Sequence, residues 1–406
     1  MINKPTESKT PSNRRNAAIT IIFAHAVKHI FHAGQISLIM PEIKLGLGLN
    51  RAQFGSLATS SSVGWWIATM AAGYFGDRFS NHAGRMIALS MGLMGIAFFL
   101  AGVAPNYKVM LLVMFLAGVG PSIFHPPAIG ELARTYPEKR GLLVSLNGMA
   151  ANVGEVLGAP IVAALLTFLV WRQVMAGSVI PALILASTVW ILVPSRNRIT
   201  DSSITSAREY FSSLLKVLKN RVILLLMVTT ATRSIGDGAI AGFITLYMRE
   251  DLDYSLGKVA LFISLSQIAG IVSLPVMGFL SDKIGRKPVL ISASVLVMAS
   301  ALALSVAEPG YQLFIAILVR GAFAISLHHI VVAAALDNSQ GTTQSTVVSL
   351  MYGAGFIGTF APYLAGLISD QYGIRSAFLS GGIVLIIPVL LLSATRFPRN
   401  SSAKPE

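Results

Sequence analysis

The stretch Gly278-Phe-Leu-Ser-Asp282-Lys283-Ile-Gly285-Arg286-Lys287 decides the fold class, because an imperfect copy of it occurs in the first half of the chain. That copy is Gly73-Tyr-Phe-Gly-Asp77-Arg78. Each copy follows a long apolar run and places an aspartate directly before a basic residue. The chain is therefore predicted to repeat one structural plan in two halves.

Two further repeats support this interpretation. Val144-Ser145-Leu146 and Gly154 recur at a constant offset as Val348-Ser349-Leu350 and Gly358. Gly118 followed by His125 is matched by Gly321 followed by His328. Weak internal symmetry of this kind is typical of transporter folds, in which the substrate site lies between the halves.

The composition places the chain in a membrane. It is 54% hydrophobic and only 12% charged, with a mean hydropathy of +0.70, whereas soluble domains are about 25% charged. The apolar runs predict twelve spans, each about as long as a bilayer requires. These runs are residues 17–40, 52–75, 86–104, 108–131, 142–168, 173–193, 221–247, 258–280, 288–306, 311–335, 345–368 and 376–395.

The basic residues predict the orientation. A net charge of +14 by itself suggests a nucleic-acid partner, but the lysines and arginines concentrate in the segments that are cytoplasmic if the N-terminus is cytoplasmic. The positive-inside rule therefore places both termini in the cytoplasm of a multi-pass inner-membrane protein. The chain has no cysteine, so disulfides and thiolate metal sites are excluded.

The expected fold is all-α, with twelve transmembrane helices in two pseudo-symmetric six-helix bundles. The first bundle is residues 1–193 and the second is residues 221–406. A polar cytoplasmic linker, residues 194–220, joins them, and its Arg208–Leu218 segment has the apolar stripe of an amphipathic surface helix.

The repeated motif resembles the cytoplasmic signature of the major facilitator superfamily. The resemblance covers nearly the whole chain and implies that Asp77, Arg78, Asp282, Lys283 and Arg286 form a gating latch. The first copy departs from the signature, because Ser80 to Ala83 separate Phe79 from Gly84-Arg85. A second departure is Met114, where many members carry an arginine.

A narrower resemblance concerns spans 4 and 5. The string Gly120-Pro-Ser-Ile-Phe-His125-Pro-Pro-Ala128, with Asn152-Val-Gly-Glu155-Val-Leu-Gly158, is similar to the fosmidomycin-resistance-type branch. This resemblance implies proton-driven export of small, often anionic compounds. Gly148, Gly154, Gly158 and Pro160 also resemble the glycine–proline motif of the antiporters. Ordinary helix packing explains these small residues equally well.

One stripe of the first span carries four ionisable residues. His25, Lys28, His29 and His32 have the spacing i, i+3, i+4, i+7, so they share one helix face. Charged groups at membrane depth are costly and mark a transport path or relay by default. Two histidines of this stripe can also chelate a metal, but Lys28 on the same face repels a cation, so no metal site is predicted.

Other polar residues within the spans complete the candidate site. Arg233 and Asp237 are four residues apart and can pair on one helix, either as a structural salt bridge or as a pair that substrate or proton opens. Glu155 and Asp237 are the candidate proton-coupling groups, although Glu155 can also simply pack against Asn152 or a histidine. The candidate substrate contacts are His25, Lys28, His29, His32, Gln35, His125, Arg233, Arg320, His328 and Tyr352.

These residues predict a secondary active transporter that works by alternating access. Lys28, Arg233 and Arg320 outnumber Glu155 and Asp237, so an anionic or zwitterionic organic substrate is expected. Proton-coupled export is favoured, uptake by proton symport is the alternative, and transport of a metal or metal chelate is a weaker one. No nucleotide-binding loop or catalytic motif occurs, so neither an enzyme nor a cofactor is expected. The protein is expected to act as a monomer in the bilayer.

Overall fold

The structure, a computed structural model, describes residues 11–78, 80–193, 219–338 and 344–394. Every regular element in these ranges is helical, which confirms the all-α fold class. The predicted linker, including the amphipathic segment Arg208–Leu218, lies outside these ranges except at its last two residues. Its boundaries therefore stay a prediction.

The described part of the first half forms helices α1 to α9. A π-helical turn, Gln35–Ile39, connects α1 to α2, and the turn Ser80–His82 accommodates the residues inserted in the first motif copy. The α-helices are α1 (Pro11–Gly34), α2 (Met40–Leu47), α3 (Arg51–Arg78), α4 (Ala83–Val103), α5 (Tyr107–Ser122), α6 (His125–Thr135), α7 (Arg140–Leu165), α8 (Trp171–Gly177) and α9 (Val179–Leu192).

The described part of the second half forms helices α10 to α17. A 3-10 segment, Gly355–Phe360, separates α14 from α15. The α-helices are α10 (Arg221–Glu250), α11 (Leu256–Ile284), α12 (Arg286–Val306), α13 (Tyr311–Asp337), α14 (Gln344–Ala354), α15 (Ala361–Tyr372), α16 (Arg375–Val384) and α17 (Ile386–Ala394).

The twelve predicted spans correspond to these helices, singly or in consecutive pairs. Within the described residues, eleven helical stretches are long and apolar enough to cross a bilayer. Helix α3 is the remaining long helix, and its 28 residues extend over about 40 Å at 1.5 Å per residue. Its many serines and glycines lower its hydropathy without shortening it.

Four spans that the sequence predicts as continuous helices are interrupted. The breaks fall between α5 and α6, between α8 and α9, at the 3-10 segment, and between α16 and α17. Each lies four residues before a proline, because proline lacks the amide N–H that the carbonyl four residues earlier requires and its ring clashes with that carbonyl. The prolines concerned are Pro126, Pro181, Pro362 and Pro388.

The described residues group into two compact units. The first draws on Met1–Leu49, Leu57–Ser203 and Ser255–Ser264, and the second on Asn50–Ser56, Ile204–Tyr254 and Leu265–Glu406. The units thus follow the two halves of the sequence except at the starts of α3 and α11. The domain boundaries predicted from the sequence stay a prediction.

In the first unit, α1 packs along α7, and α4 packs against α5 and α9. A Cβ atom on Gly154 would overlap the carbonyl oxygen of Ala26, and one on Gly34 would overlap that of Gly158. The helix-packing interpretation therefore holds for Gly154 and Gly158. It does not hold for Gly148, where an added Cβ would meet no heavy atom within 4 Å.

The second unit repeats the packing of α1 along α7. Helix α10 packs against the 3-10 segment, and α12 packs against α13 and α16. A Cβ on Gly358 would overlap Ser234 of α10. Gly358 is the repeat partner of Gly154, so the same glycine brings the same pair of helices together in both halves.

Candidate functional site

The first group of polar residues, the Lys28 cluster, consists of His25, Lys28 and His29 on α1, His125 on α6 and Glu155 on α7. Lys28 is only 2% exposed, and its Nζ lies 2.7 Å from Nε2 of His125 and 3.3 Å from Nε2 of His29. An ammonium group has donors only, so both ring nitrogens accept and each neutral ring carries its proton on Nδ1.

Glu155 extends this chain of titratable groups. Its Oε1 lies 3.2 Å from Nδ1 of His29, a distance that permits an ion pair although the atoms are not aligned as a hydrogen bond. The contacts therefore run from the carboxylate of Glu155 to the imidazole of His29, then to the ammonium of Lys28 and on to the imidazole of His125. The sequence analysis allowed Glu155 to pack against a histidine, and the histidine that faces it is His29.

The third histidine ring of the cluster, that of His25, is fixed by its surroundings. His25 is 3% exposed, and its Nδ1 donates a hydrogen bond of 2.8 Å to the carbonyl oxygen of Asn147. The ring stacks on Phe124, with centroids 5.0 Å apart and planes inclined by 14°. Nε2 of His25 is buried and has no hydrogen-bond partner among the described residues.

The cluster also contains the histidines best placed to hold a metal. One nitrogen each from His25, His29 and His125 lies within 4.8 Å of the other two. The Lys28 ammonium already contacts two of these rings, so it takes the place that a cation would need. The arrangement does not fit a resident metal while Lys28 is charged, which gives a geometric basis to the sequence argument.

The second group, the Asp237 cluster, consists of Arg233 and Asp237 on α10 and Arg320 and His328 on α13. Nη1 of Arg233 lies 2.5 Å from Oδ2 of Asp237, and Nη2 of Arg320 lies 3.0 Å from Oδ1. The expected pairing of Arg233 with Asp237 is therefore present, and Arg320 adds a second guanidinium to the same carboxylate. The three side chains are 13%, 18% and 15% exposed, in chain order.

His328 is the histidine of this cluster, and Tyr352 borders it. Nη2 of Arg233 lies 3.3 Å from Nδ1 of His328, and the His328 ring lies 5.1 Å from that of Tyr352. Two guanidinium groups against one carboxylate leave an excess of one positive charge. Because arginine stays protonated at any physiological pH, this excess is permanent.

The two clusters are related by the internal repeat. The offset that relates Gly73 to Gly278 also relates Lys28 to Arg233, and His125 corresponds to His328. Each half therefore pairs a cation of its first span with a histidine of its fourth. In the first half the cation is a lysine, which can lose its proton, and in the second it is an arginine, which cannot.

The remaining candidate contacts lie outside both clusters. His32, one turn after Lys28, lines a separate cavity of about 230 Å³ in the first unit. The side chain of Gln35 lies outside the described residues. The cavity is also lined by Met40, Ala58, Ser61, Ser62, Trp65, Trp66 and Met114.

The predicted gating residues are described only in the second motif copy. Nη1 of Arg286 lies 2.5 Å from Oδ1 of Asp282, and its Nε lies 2.8 Å from Oδ2 of Asp337 at the end of α13. This contact joins the motif to a neighbouring helix, and the gating role that the resemblance implies for it stays a prediction. Lys283 is exposed, and the side chains of Asp77 and Arg78 lie outside the described part.

Several contributors were not identified from the sequence. Asp337 completes the Arg286 contact, Phe124 supports His25, and the Asn147 carbonyl fixes its ring. A backbone carbonyl and an apolar ring give no sequence signal of such a role. Asp337 did give a sequence signal, because it is an acidic residue at the end of a predicted span.

Comparison with known proteins defines the class. A chain of apolar helices in two repeated units, each burying a polar cluster, is typical of a membrane transporter. The family model described as Major Facilitator Superfamily matches residues 21–234 and 226–406. The chain therefore belongs to the major facilitator superfamily and is a multi-pass secondary transporter, not an enzyme.

Individual relatives are distant. Multidrug resistance protein MdtG of Klebsiella pneumoniae (strain 342) is 27% identical over 85% of this chain and 85% of its own length. MdtG of Escherichia coli O17:K52:H18 is 26% identical over 97% of both chains. The uncharacterized MFS-type transporter YfnC of Bacillus subtilis (strain 168) is 21% identical over 99% of this chain and 98% of its own.

Solved structures confirm the fold. A bacterial homolog of the human lysosomal transporter Spinster superposes with a TM-score of 0.77 at 14% identity, covering 95% of this chain and 97% of its own. The nucleoside transporter NupG has a TM-score of 0.78 at 13% identity, covering 95% and 100%. At such identities these likenesses carry the fold alone.

Proposed function

We propose that this protein exports a small anionic or zwitterionic organic compound in exchange for protons, by alternating access. The observation that carries the proposal is the contrast between the two clusters. The Lys28 cluster is a chain of groups that can exchange protons, and the Asp237 cluster holds a permanent excess of positive charge.

The Asp237 cluster supports the choice of an anion. Arg233 and Arg320 together contact a single carboxylate, so their remaining N–H donors and one net positive charge are available to a ligand. A guanidinium group binds carboxylates and phosphonates through paired N–H donors. An organic phosphonate or carboxylate matches this chemistry.

The Lys28 cluster supports coupling to protons. A buried lysine changes its charge state readily, and the imidazole rings in contact with it offer nitrogens that can donate or accept a proton. Glu155 is the terminal acceptor of the chain through His29. Protonation here and anion binding at Asp237 are coupled if each favours a different conformational state.

The direction of transport rests on the relatives. MdtG is named a multidrug resistance protein in several enterobacteria, and we extend export to this chain on that likeness together with Gly154 and Gly158 of the antiporter-like span. The same proposal includes membership in the fosmidomycin-resistance-type branch, an inner-membrane location with cytoplasmic termini, and a monomeric state. It also includes gating roles for Asp77, Arg78, Asp282, Lys283 and Arg286.

Transport into proteoliposomes under an imposed pH gradient tests the proposal. Radiolabelled methylphosphonate and a panel of larger phosphonates are suitable probes, because they cross lipid slowly without a carrier. Antiport predicts accumulation when the lumen is acidic, since protons leave as the anion enters. Accumulation only when the exterior is acidic would show symport, and accumulation independent of the gradient would exclude proton coupling.

A further inference from the structure

The cavity in the first unit begins at His32, one helical turn after Lys28, and has its own chemistry. Of its lining residues, Met40, Ser61 and Met114 are buried, at 3%, 7% and 3% exposure. Trp65 and Trp66 contribute two indole rings whose centroids are 5.2 Å apart and whose planes are perpendicular. The cavity is thus a largely apolar pocket with an aromatic corner.

The lining of this pocket also contains polar groups. His32 contributes an imidazole ring, which when neutral donates a hydrogen bond at one nitrogen and accepts one at the other. The hydroxyls of Ser61 and Ser62 lie on the same lining.

We propose that this cavity is a binding subsite for a flat aromatic or heteroaromatic ring that carries a hydrogen-bonding group for the polar lining of His32, Ser61 and Ser62. The ring packs against the indoles of Trp65 and Trp66. The inference rests on the proposed function for its role in transport, and it names the substrate class as organic anions that contain a ring.

The physical argument is one of fit. Perpendicular indoles offer one ring a stacked contact and an edge contact at the same time, which are the two favoured aromatic geometries. Met40 and Met114 add polarizable thioethers, which pack well against rings. A volume of about 230 Å³ is large enough for one or two fused rings.

Binding of two matched probes to the purified protein in nanodiscs tests this subsite without requiring transport. Radiolabelled salicylate has a planar ring, a carboxylate and a hydroxyl, whereas cyclohexanecarboxylate has the same charge and similar size without the planar ring or the hydroxyl. We expect salicylate to bind at least tenfold more tightly. Benzoate, which lacks only the hydroxyl, is measured beside them and is expected to keep most of the preference.

Variants locate the site of that preference. Trp65→Leu and Trp66→Leu are each expected to weaken salicylate binding about threefold to tenfold and to leave cyclohexanecarboxylate unchanged. Met114→Arg fills the pocket and is expected to abolish salicylate binding, with Met114→Leu as the conservative partner that retains it. Trp190→Leu is the control, because Trp190 is 56% exposed and lies outside the cavity.

Each outcome has a definite meaning. Equal binding of the two probes, or tryptophan variants that weaken both equally, overturns the ring subsite, as does failure of wild-type protein to bind salicylate. Phosphonate antiport that persists in those cases leaves the proposed function intact. If the wild-type protein prefers salicylate but shows no phosphonate antiport, the proposed function is overturned and the ring subsite is retained.

Discussion

The Lys28 cluster and the Asp237 cluster occupy repeat-related positions but differ in chemistry. The first surrounds a buried ammonium with imidazole rings, and Glu155 joins through His29. The second neutralises one carboxylate with two guanidinium groups. The two copies of the scaffold therefore hold different central cations, a lysine that can lose its proton and arginines that cannot, and the proposed function assigns proton exchange to the first cluster and anion binding to the second.

The largest effect is expected from Asp237→Asn. Removal of this carboxylate leaves two partly buried guanidinium groups without their counter-charge, which costs about 3 kcal/mol. Asp282→Asn is the matched control, because the Asp282 side chain is 67% exposed and such pairs contribute less than about 1 kcal/mol. Thermal unfolding in detergent measures both. Equal losses in the two variants would contradict the central place of Asp237.

A second prediction concerns how the clusters are held in place. Gly154→Ala is expected to push α1 away from α7, separate His29 from Glu155 and cost about 1–3 kcal/mol. Gly148→Ala, on the same helix but with no neighbour within 4 Å, is expected to be neutral or slightly stabilising. The melting temperatures of the two variants give the comparison. If they agree, the glycine contact does not position the cluster.

The smallest of these effects concerns affinity rather than folding. Arg320→Gln leaves Asp237 paired with Arg233 and removes the excess positive charge. Loss of a charge-assisted hydrogen bond, about 1.5 kcal/mol, is expected to weaken phosphonate binding roughly tenfold. Arg320→Lys keeps the charge and retains most of the affinity. Equilibrium binding in nanodiscs is the measurement, and unchanged affinity in Arg320→Gln would remove this cluster from substrate binding.

The sequence predicted those features that depend on local spacing. Hydropathy predicted the helices, the motif copies predicted the repeat, and the four-residue spacing predicted the contact between Arg233 and Asp237. The breaks ahead of Pro126 and Pro388 were equally local, but long apolar runs concealed them. Helix length and proline position together would have found them.

Contacts between helices were not predictable in the same way. Arg320 reaches Asp237, and Lys28 reaches His125, only because glycines set how closely the helices approach. Single-sequence periodicity gives the face on which a residue lies but not the residue opposite. The small residues at Gly154 and Gly358 were the available signal, and they identify which helices meet without giving the register.

The most direct test of the division between the clusters is Glu155→Gln, assayed for both gradient-driven accumulation and equilibrium exchange of a phosphonate in proteoliposomes. Glutamine keeps the size of glutamate and an acceptor oxygen that can face His29, but it cannot take up a proton. We predict that accumulation in an acidic lumen falls at least tenfold while exchange stays within about threefold of wild type. Undiminished gradient-driven accumulation, or equal loss of both activities, would contradict the account.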